Sequence, residues 1–143
     1  MKRKLECILL IDDDEPTNFL HKLVITNANV AESIKELSSA EDALTLLASG
    51  GSDLSKTEPS LIFLDINMPG MNGWDFLEEY KKLNFVNQGK VIIIMLTTSL
   101  NPDDRAKAES NPFIRGFINK PLNSDSLYSI LKTHFPEYYE DVA

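Results

Sequence analysis

The amino-acid sequence predicts an α/β domain: five parallel strands in one sheet, each followed by a helix, with helices on both faces. Three observations carry that prediction. Short apolar runs at residues 5–11, 61–64 and 91–96 have the length and continuity of strands covered on both sides. Stretches with apolar residues at helical spacing alternate with these runs, the rhythm of βαβ units joined by right-handed crossovers. Each run also stops abruptly at polar residues, Asp12-Asp13-Asp14 after the first, Asp65 after the second and Thr97-Thr98-Ser99 after the third. In an open parallel sheet such strand ends share the edge at which ligands bind.

Taken in order, strand one covers residues 5–11. Pro16 then sits where the first turn of a helix tolerates it, just after an aspartate able to cap, and Phe19, Leu20, Leu23 and Val24 recur at helical spacing. Asn27 and Asn29 mark a turn. Residues 33–37 form a second strand, placed there mainly because the βαβ rhythm requires one. Residues 39–48 read as helix two, with Ala43, Leu44 and Leu47 on one face, stopped by Gly50-Gly51-Ser52 and followed by a polar loop over 53–59. Strand three delivers Asp65 to the sheet edge ahead of a Pro69-Gly70 turn. Phe76, Leu77, Tyr80 and Leu83 mark helix three, broken at 87–89, and strand four, rich in Val and Ile, is the most hydrophobic run in the chain. Asn101-Pro102-Asp103-Asp104 is a helix start whose acids complement the dipole, but little beyond Ala106 and Ala108 is apolar in helix four, so it is expected to be loosely held. Residues 113–118 contain strand five, which ends in Asn119-Lys120-Pro121. Helix five, Ser124–His134, turns Leu127, Ile130 and Leu131 toward the sheet and stops at Pro136.

With 143 residues the chain can bury on the order of two thirds of its unfolded surface without disulfides or a structural metal. One domain over 1–143, with a core of about 4–136, is expected. Hydrophobic residues at 43% and charged residues at 25% exclude a disordered chain. A formal net charge of −8, with no basic cluster beyond the first four residues, argues against a nucleic-acid surface and leaves protein partners or small cations. Cys7, the single cysteine, lies inside an apolar run and reads as a buried core residue in a reducing compartment. Lys2-Arg3-Lys4 ahead of Ile8-Leu9-Leu10-Ile11 superficially resembles a signal peptide, but the following acids cut the stretch short. No run approaches the ~18 residues of a membrane span, so a cytoplasmic protein without a membrane partner is expected.

The predicted topology gathers Asp12, Asp13, Asp65, Thr97 and Lys120 at one edge. Three carboxylates held together repel, so the site needs a cation; without one, at least one acid would take up a proton. Hard oxygen ligands at an open edge favour Mg²⁺. Lys120 adds a movable positive charge and Thr97 a hydroxyl donor, and the combination stabilises a phosphoryl group. No Gly-rich nucleotide cradle is present, so the expected acceptor is a side chain. Each piece alone has a blander reading: Asp12 to Asp14 as a solvated capping loop, Lys120 as a surface lysine, Trp74 and Phe76 as packing, Phe117 as plain core. Their convergence on one edge outweighs it.

The motifs Leu9-Leu10-Ile11-Asp12-Asp13-Asp14, Leu64-Asp65-Ile66-Asn67-Met68-Pro69-Gly70-Met71-Asn72-Gly73, Met95-Leu96-Thr97-Thr98 and Phe117-Ile118-Asn119-Lys120-Pro121 resemble the receiver domain of two-component response regulators, over roughly residues 4–135. The resemblance implies a flavodoxin-like sheet in the order 2-1-3-4-5. It implies Asp65 as phosphoacceptor, taking a phosphoryl group from a sensor histidine kinase or a histidine phosphotransfer protein. It implies Mg²⁺ held by Asp13, Asp65 and the backbone carbonyl of Asn67, with Asp12 acting through water. Lys120 would pair with the phosphoryl oxygens, its bond to Pro121 being cis. Thr97 would swing toward the phosphoryl group, helped by the backbone N–H of Thr98, and Phe117 would be the aromatic switch. Asn67 and Ser99 stand where the family tunes hydrolysis of the acyl phosphate. Helix four, strand five and helix five would form the signalling face, and with no output domain in the chain a downstream protein effector would be engaged by docking.

The sequence departs from the pattern at Thr98, where alanine is frequent, at Phe117, which lacks a hydroxyl, in the length of residues 48–59, and at the start of helix two. Two other readings use the same residues. An aspartate-nucleophile phosphatase of the haloacid dehalogenase type also places Asp, Thr and Lys at strand ends, but it needs a second carboxylate two residues after the nucleophile, where this chain has Asn67. A receiver that binds partners without phosphorylation is the other, and every acid it would be expected to lose is present.

Overall fold

The computed structural model describes residues 4–48, 60–83, 91–98 and 101–136. The strands are β1 (Leu5–Ile11), β2 (Ala31–Leu37), β3 (Leu61–Leu64), β4 (Ile92–Thr97) and β5 (Ile114–Asn119), and the helices α1 (Glu15–Ala28), α2 (Ala40–Ala48), α3 (Gly73–Tyr80), α4 (Pro102–Ser110) and α5 (Ser124–His134). All strand pairs are parallel, in the order β2-β1-β3-β4-β5.

Alternation along the strands sends side chains into two separate cores. Leu9, Ile11, Ile62, Leu64, Ile93 and Met95 meet α2, α3 and α4 through Ala43, Leu47, Phe76, Tyr80 and Ala108. Ile8, Leu10, Phe63, Ile94 and Leu96 meet α1 and α5 through Ile25, Leu127, Ile130 and Leu131. The sheet is therefore doubly wound, and β3, buried at every position, is its centre. Cys7 is buried in β1, and burial pushes its thiol up.

Several boundaries move. β2 begins at Ala31 rather than Ser33, because Ala31 pairs with Leu5 across the sheet, a partner that local pattern cannot reveal. β5 runs from Ile114 through Asn119, since Thr97 pairs with Asn119 at the end of β4. Ser39 precedes α2, and its hydroxyl accepts from Asp42 N–H at 3.0 Å. α3 ends at Tyr80, and Leu83 packs against the core from beyond the helix. The Gly50-Gly51-Ser52 stop, the 53–59 loop and the break at 87–89 lie outside the described residues.

The largest departure is the face of α1. Phe19, Leu20 and Leu23 are 56%, 57% and 42% exposed, whereas Asn18, His21 and Ile25 point inward. Hydrogen bonding explains the inversion. Asn18 Nδ2 donates to the Asp12 carbonyl at 2.9 Å and to the Leu37 carbonyl at 3.3 Å, and the Leu122 N–H donates to His21 Nε2 at 3.3 Å. These two side chains give partners to the Asp12 carbonyl and the Leu122 amide, and Asn18 adds a second donor to a Leu37 carbonyl that already accepts from the Asp12 N–H at 3.1 Å. Asp14 caps α1, accepting from the Thr17 N–H and hydroxyl. α4 buries only Ala108, as its composition predicts.

Candidate functional site

Sheet register builds the site. Ile11 of β1 pairs with Leu64 of β3, so the next residues, Asp12 and Asp65, emerge side by side, and the Asp65 N–H donates to the Ile11 carbonyl at 3.0 Å. Between these strands the chain reverses its direction of travel across the sheet, the place at which doubly wound folds open a crevice. Both acids are nearly sealed from solvent, while Asp13 is exposed. One carboxylate oxygen from each of Asp12, Asp13 and Asp65 lies within 4.8 Å of the others.

Lys120 enters from β5. Its N–H donates to the Thr97 carbonyl at 2.8 Å, and its Nζ lies 2.5 Å from Asp12 Oδ2 and 3.2 Å from Asp65 Oδ1. The Lys120–Pro121 bond is cis. Thr97 is fully buried at the end of β4, and Thr98, one residue on, is exposed. Asn67 is exposed on the loop after β3. Phe117 is half-buried on β5, with the Arg105 guanidinium 5.7 Å from its ring centre. Ser99 lies outside the described residues.

The electrostatics follow from burial. Desolvation, reinforced by the negative charge of Asp12 and only partly opposed by Lys120, pushes the Asp65 carboxyl up to about 6. Burial works against the charged form of Lys120, but its hydrogen bonds and attraction to Asp12 and Asp65 outweigh that, and the amine is held above its ordinary value. Burial lowers the His21 imidazole despite the pull of Asp12. Three carboxylates share the single Lys120 amine, so the lysine alone does not neutralise the cluster. A donor set of three hard carboxylates with charge to spare fits a small divalent cation such as Mg²⁺.

A family model described as the response regulator receiver domain matches residues 8–132. The chain belongs to that family. This receiver domain is 26% identical over 125 residues to the response regulator Rcp1 of Synechocystis sp., an alignment covering 87% of this chain and 83% of that protein. Among solved structures, a two-component response regulator from Cytophaga hutchinsonii superposes with a TM-score of 0.85 at 34% identity, covering 94% of this chain and 99% of that one. A response regulator receiver protein from Dyadobacter fermentans superposes with a TM-score of 0.79 at 27% identity, covering 91% and 98%. Receiver domains belong to two-component signalling, in which response regulators receive phosphate from histidine kinases. No helix among the described residues is long and apolar enough to cross a membrane.

Of the residues singled out in the sequence, the structure clusters Asp12, Asp13, Asp65 and Lys120 and ties Thr97 to them through backbone. Asn18 and His21 were not foreseen. Sequence offers no sign that these two, rather than the apolar residues beside them, are the inward face of α1.

Proposed function

We propose that this receiver domain, acting as one unit over a core of about residues 4–136, accepts a phosphoryl group on Asp65. The observation that carries the reading is the meeting of Lys120 with both Asp12 and Asp65 at a strand end where a third carboxylate, Asp13, faces solvent. An Asp65 carboxylate oxygen attacks phosphorus of a phosphohistidine on a kinase or phosphotransfer protein. The P–N bond breaks, the imidazole leaves with its electron pair and takes a proton, and an acyl phosphate remains. Asp12, Asp13, Asp65 and the Asn67 carbonyl would hold Mg²⁺, which supplies charge neutralisation for the incoming phosphoryl oxygens. Lys120 transfers its ion pair from the carboxylates to those oxygens, and the Thr97 hydroxyl and Thr98 N–H donate to them. Asn67 and Ser99 set the lifetime of the product.

The same site governs the output. Thr97 and Phe117 lie on adjacent strands, and α4, whose one buried residue is an alanine, is the helix held least firmly by apolar packing. A groove of about 330 Å³ lined by Arg105, Glu109, Ile114, Arg115 and Phe117 runs between α4 and β5, and offers a downstream effector a place to dock. The apolar residues exposed on α1, the helix that Asp14 caps, offer a phosphodonor protein another. We read the domain itself as acting in the cytoplasm.

Incubation with acetyl phosphate or beryllofluoride tests the reading. Modification dependent on Mg²⁺ and absent in Asp65→Asn is the expected result. Turnover of a generic phosphate monoester would instead support the phosphatase reading, and failure to be modified at all would leave a partner-binding module.

A further inference from the structure

We propose that His21 is a positioning residue for Lys120, holding through a single hydrogen bond the turn on which the lysine stands. The inference rests on the phosphoacceptor reading above for its consequence, though not for its geometry.

Lys120 lies on a short connection between β5 and α5. Upstream of its side chain the backbone is fixed, because the Lys120 N–H donates to the Thr97 carbonyl at 2.8 Å. Downstream, the next amide able to donate is that of Leu122, since residue 121 is proline and has none. That amide donates to His21 Nε2 at 3.3 Å, across the interface between α1 and the start of α5. Beyond it, Asn123 is already committed to capping α5, accepting from the Ser126 N–H at 2.8 Å. His21 and Thr97 thus clamp the backbone on either side of Lys120.

The chemistry requires an acceptor at that point in α1. The Leu122 N–H is enclosed with a buried Leu122 side chain, where an unsatisfied amide is unfavourable by more than the bond itself contributes. Helix interiors offer no free backbone carbonyl to meet it, so a side chain must. His21, 2% exposed, accepts with Nε2 and so keeps its proton on Nδ1. Leucine at this position would fill the space and remove the acceptor. Glutamine would return an oxygen near the place of Nε2. Unlike the three acids, the lysine must relocate, from carboxylate to phosphoryl oxygen, so the placement of its backbone affects reactivity more than it affects metal binding by the acids.

The experiment compares wild type, His21→Leu and His21→Gln in the full chain. Three readings are taken: exchange of the Leu122 amide by NMR, modification of the Lys120 amine by a hydroxysuccinimide ester without phosphodonor, and phosphorylation by acetyl phosphate alongside Mg²⁺ affinity. In His21→Leu we expect the Leu122 amide to exchange and Lys120 to be modified about five- to tenfold faster, and phosphorylation to slow by a similar factor with no loss of Mg²⁺ affinity. His21→Gln restores all three. In a Lys120→Ala background, His21→Leu is expected to have no further effect on phosphorylation, because both changes act through one group. Wild-type protection of Leu122 and Lys120 in His21→Leu, parallel loss of Mg²⁺ affinity, or additivity with Lys120→Ala would each overturn the proposal. If wild type accepts no phosphoryl group, the functional reading fails by itself, and amide exchange and lysine modification still decide whether His21 places Lys120.

Discussion

The Lys120 amine lies closer to Asp12, at 2.5 Å, than to Asp65, at 3.2 Å, so the lysine is shared between the two acids and sits nearer the neighbour of the proposed phosphoacceptor than the acceptor itself. That arrangement leaves Asp65 only partly neutralised, and its consequences can be measured.

The first concerns pH. The Asp65 carboxyl titrates from an ordinary value of 3.8 and is pushed up to about 6 in the folded protein. Between those values the folded state binds more protons than the unfolded one, so stability falls as pH rises through the window and is lower above it. The loss is on the order of 3 kcal/mol for a shift of this size at a nearly sealed group. Urea unfolding from pH 4 to pH 7 in the absence of divalent cations should show this decline, and Asp65→Asn should flatten it. An unchanged slope in the variant would place the effect on another group.

Removing the lysine tests the other half of the pair. Lys120→Met leaves Asp12 and Asp65 facing each other and is expected to lower stability by about 3 kcal/mol without Mg²⁺. Because the amine competes with a cation for the same oxygens, the variant should bind Mg²⁺ more tightly than wild type. Mg²⁺ at ten times its dissociation constant should return about 1.4 kcal/mol, read as a rise in Tm. Phosphorylation by acetyl phosphate should nevertheless fall.

Gly73 shapes the loop that follows Asp65. A Cβ there would lie 2.5 Å from the Asp65 carbonyl oxygen and 3.0 Å from Ile66 Cα, both backbone and unable to rotate away, and the Gly73 N–H donates to the Ile66 carbonyl at 2.8 Å. Gly73→Ala is expected to destabilise by about 2 kcal/mol and to slow phosphorylation by displacing the loop that carries Asn67. Thermal unfolding together with acetyl phosphate kinetics checks both.

α4 is held by cations over rings as much as by burial. Lys107 Nζ lies 4.9 Å from the centre of the Trp74 ring, and Arg105 lies over Phe117. Trp74 is the sole tryptophan of the chain, so its fluorescence reports this contact directly. Lys107→Ala should alter the emission and lower stability by about 0.5 kcal/mol, and beryllofluoride with Mg²⁺ should alter wild-type emission as α4 shifts. A spectrum indifferent to both would mean that α4 stays in place.

By itself the sequence determined the α/β class, the alternation of elements and the acids at the strand ends, because apolar run length and turn chemistry are local properties. Asp12, Asp13, Asp65, Thr97 and Lys120 were legible for the same reason: each directly follows or ends a run whose burial is written in its composition. The tertiary structure decided what depends on partners distant in the chain. The start of β2 at Ala31 follows from pairing with Leu5, and the end of β5 from pairing with Thr97. The inward face of α1 was decided by the carbonyl of Asp12 and the amide of Leu122, which needed Asn18 and His21 more than the core needed Phe19, Leu20 and Leu23. Hydrophobic periodicity weighs apolar area alone, whereas a buried backbone group without a partner is penalised as heavily as an exposed side chain, and only the fold shows which backbone groups are buried.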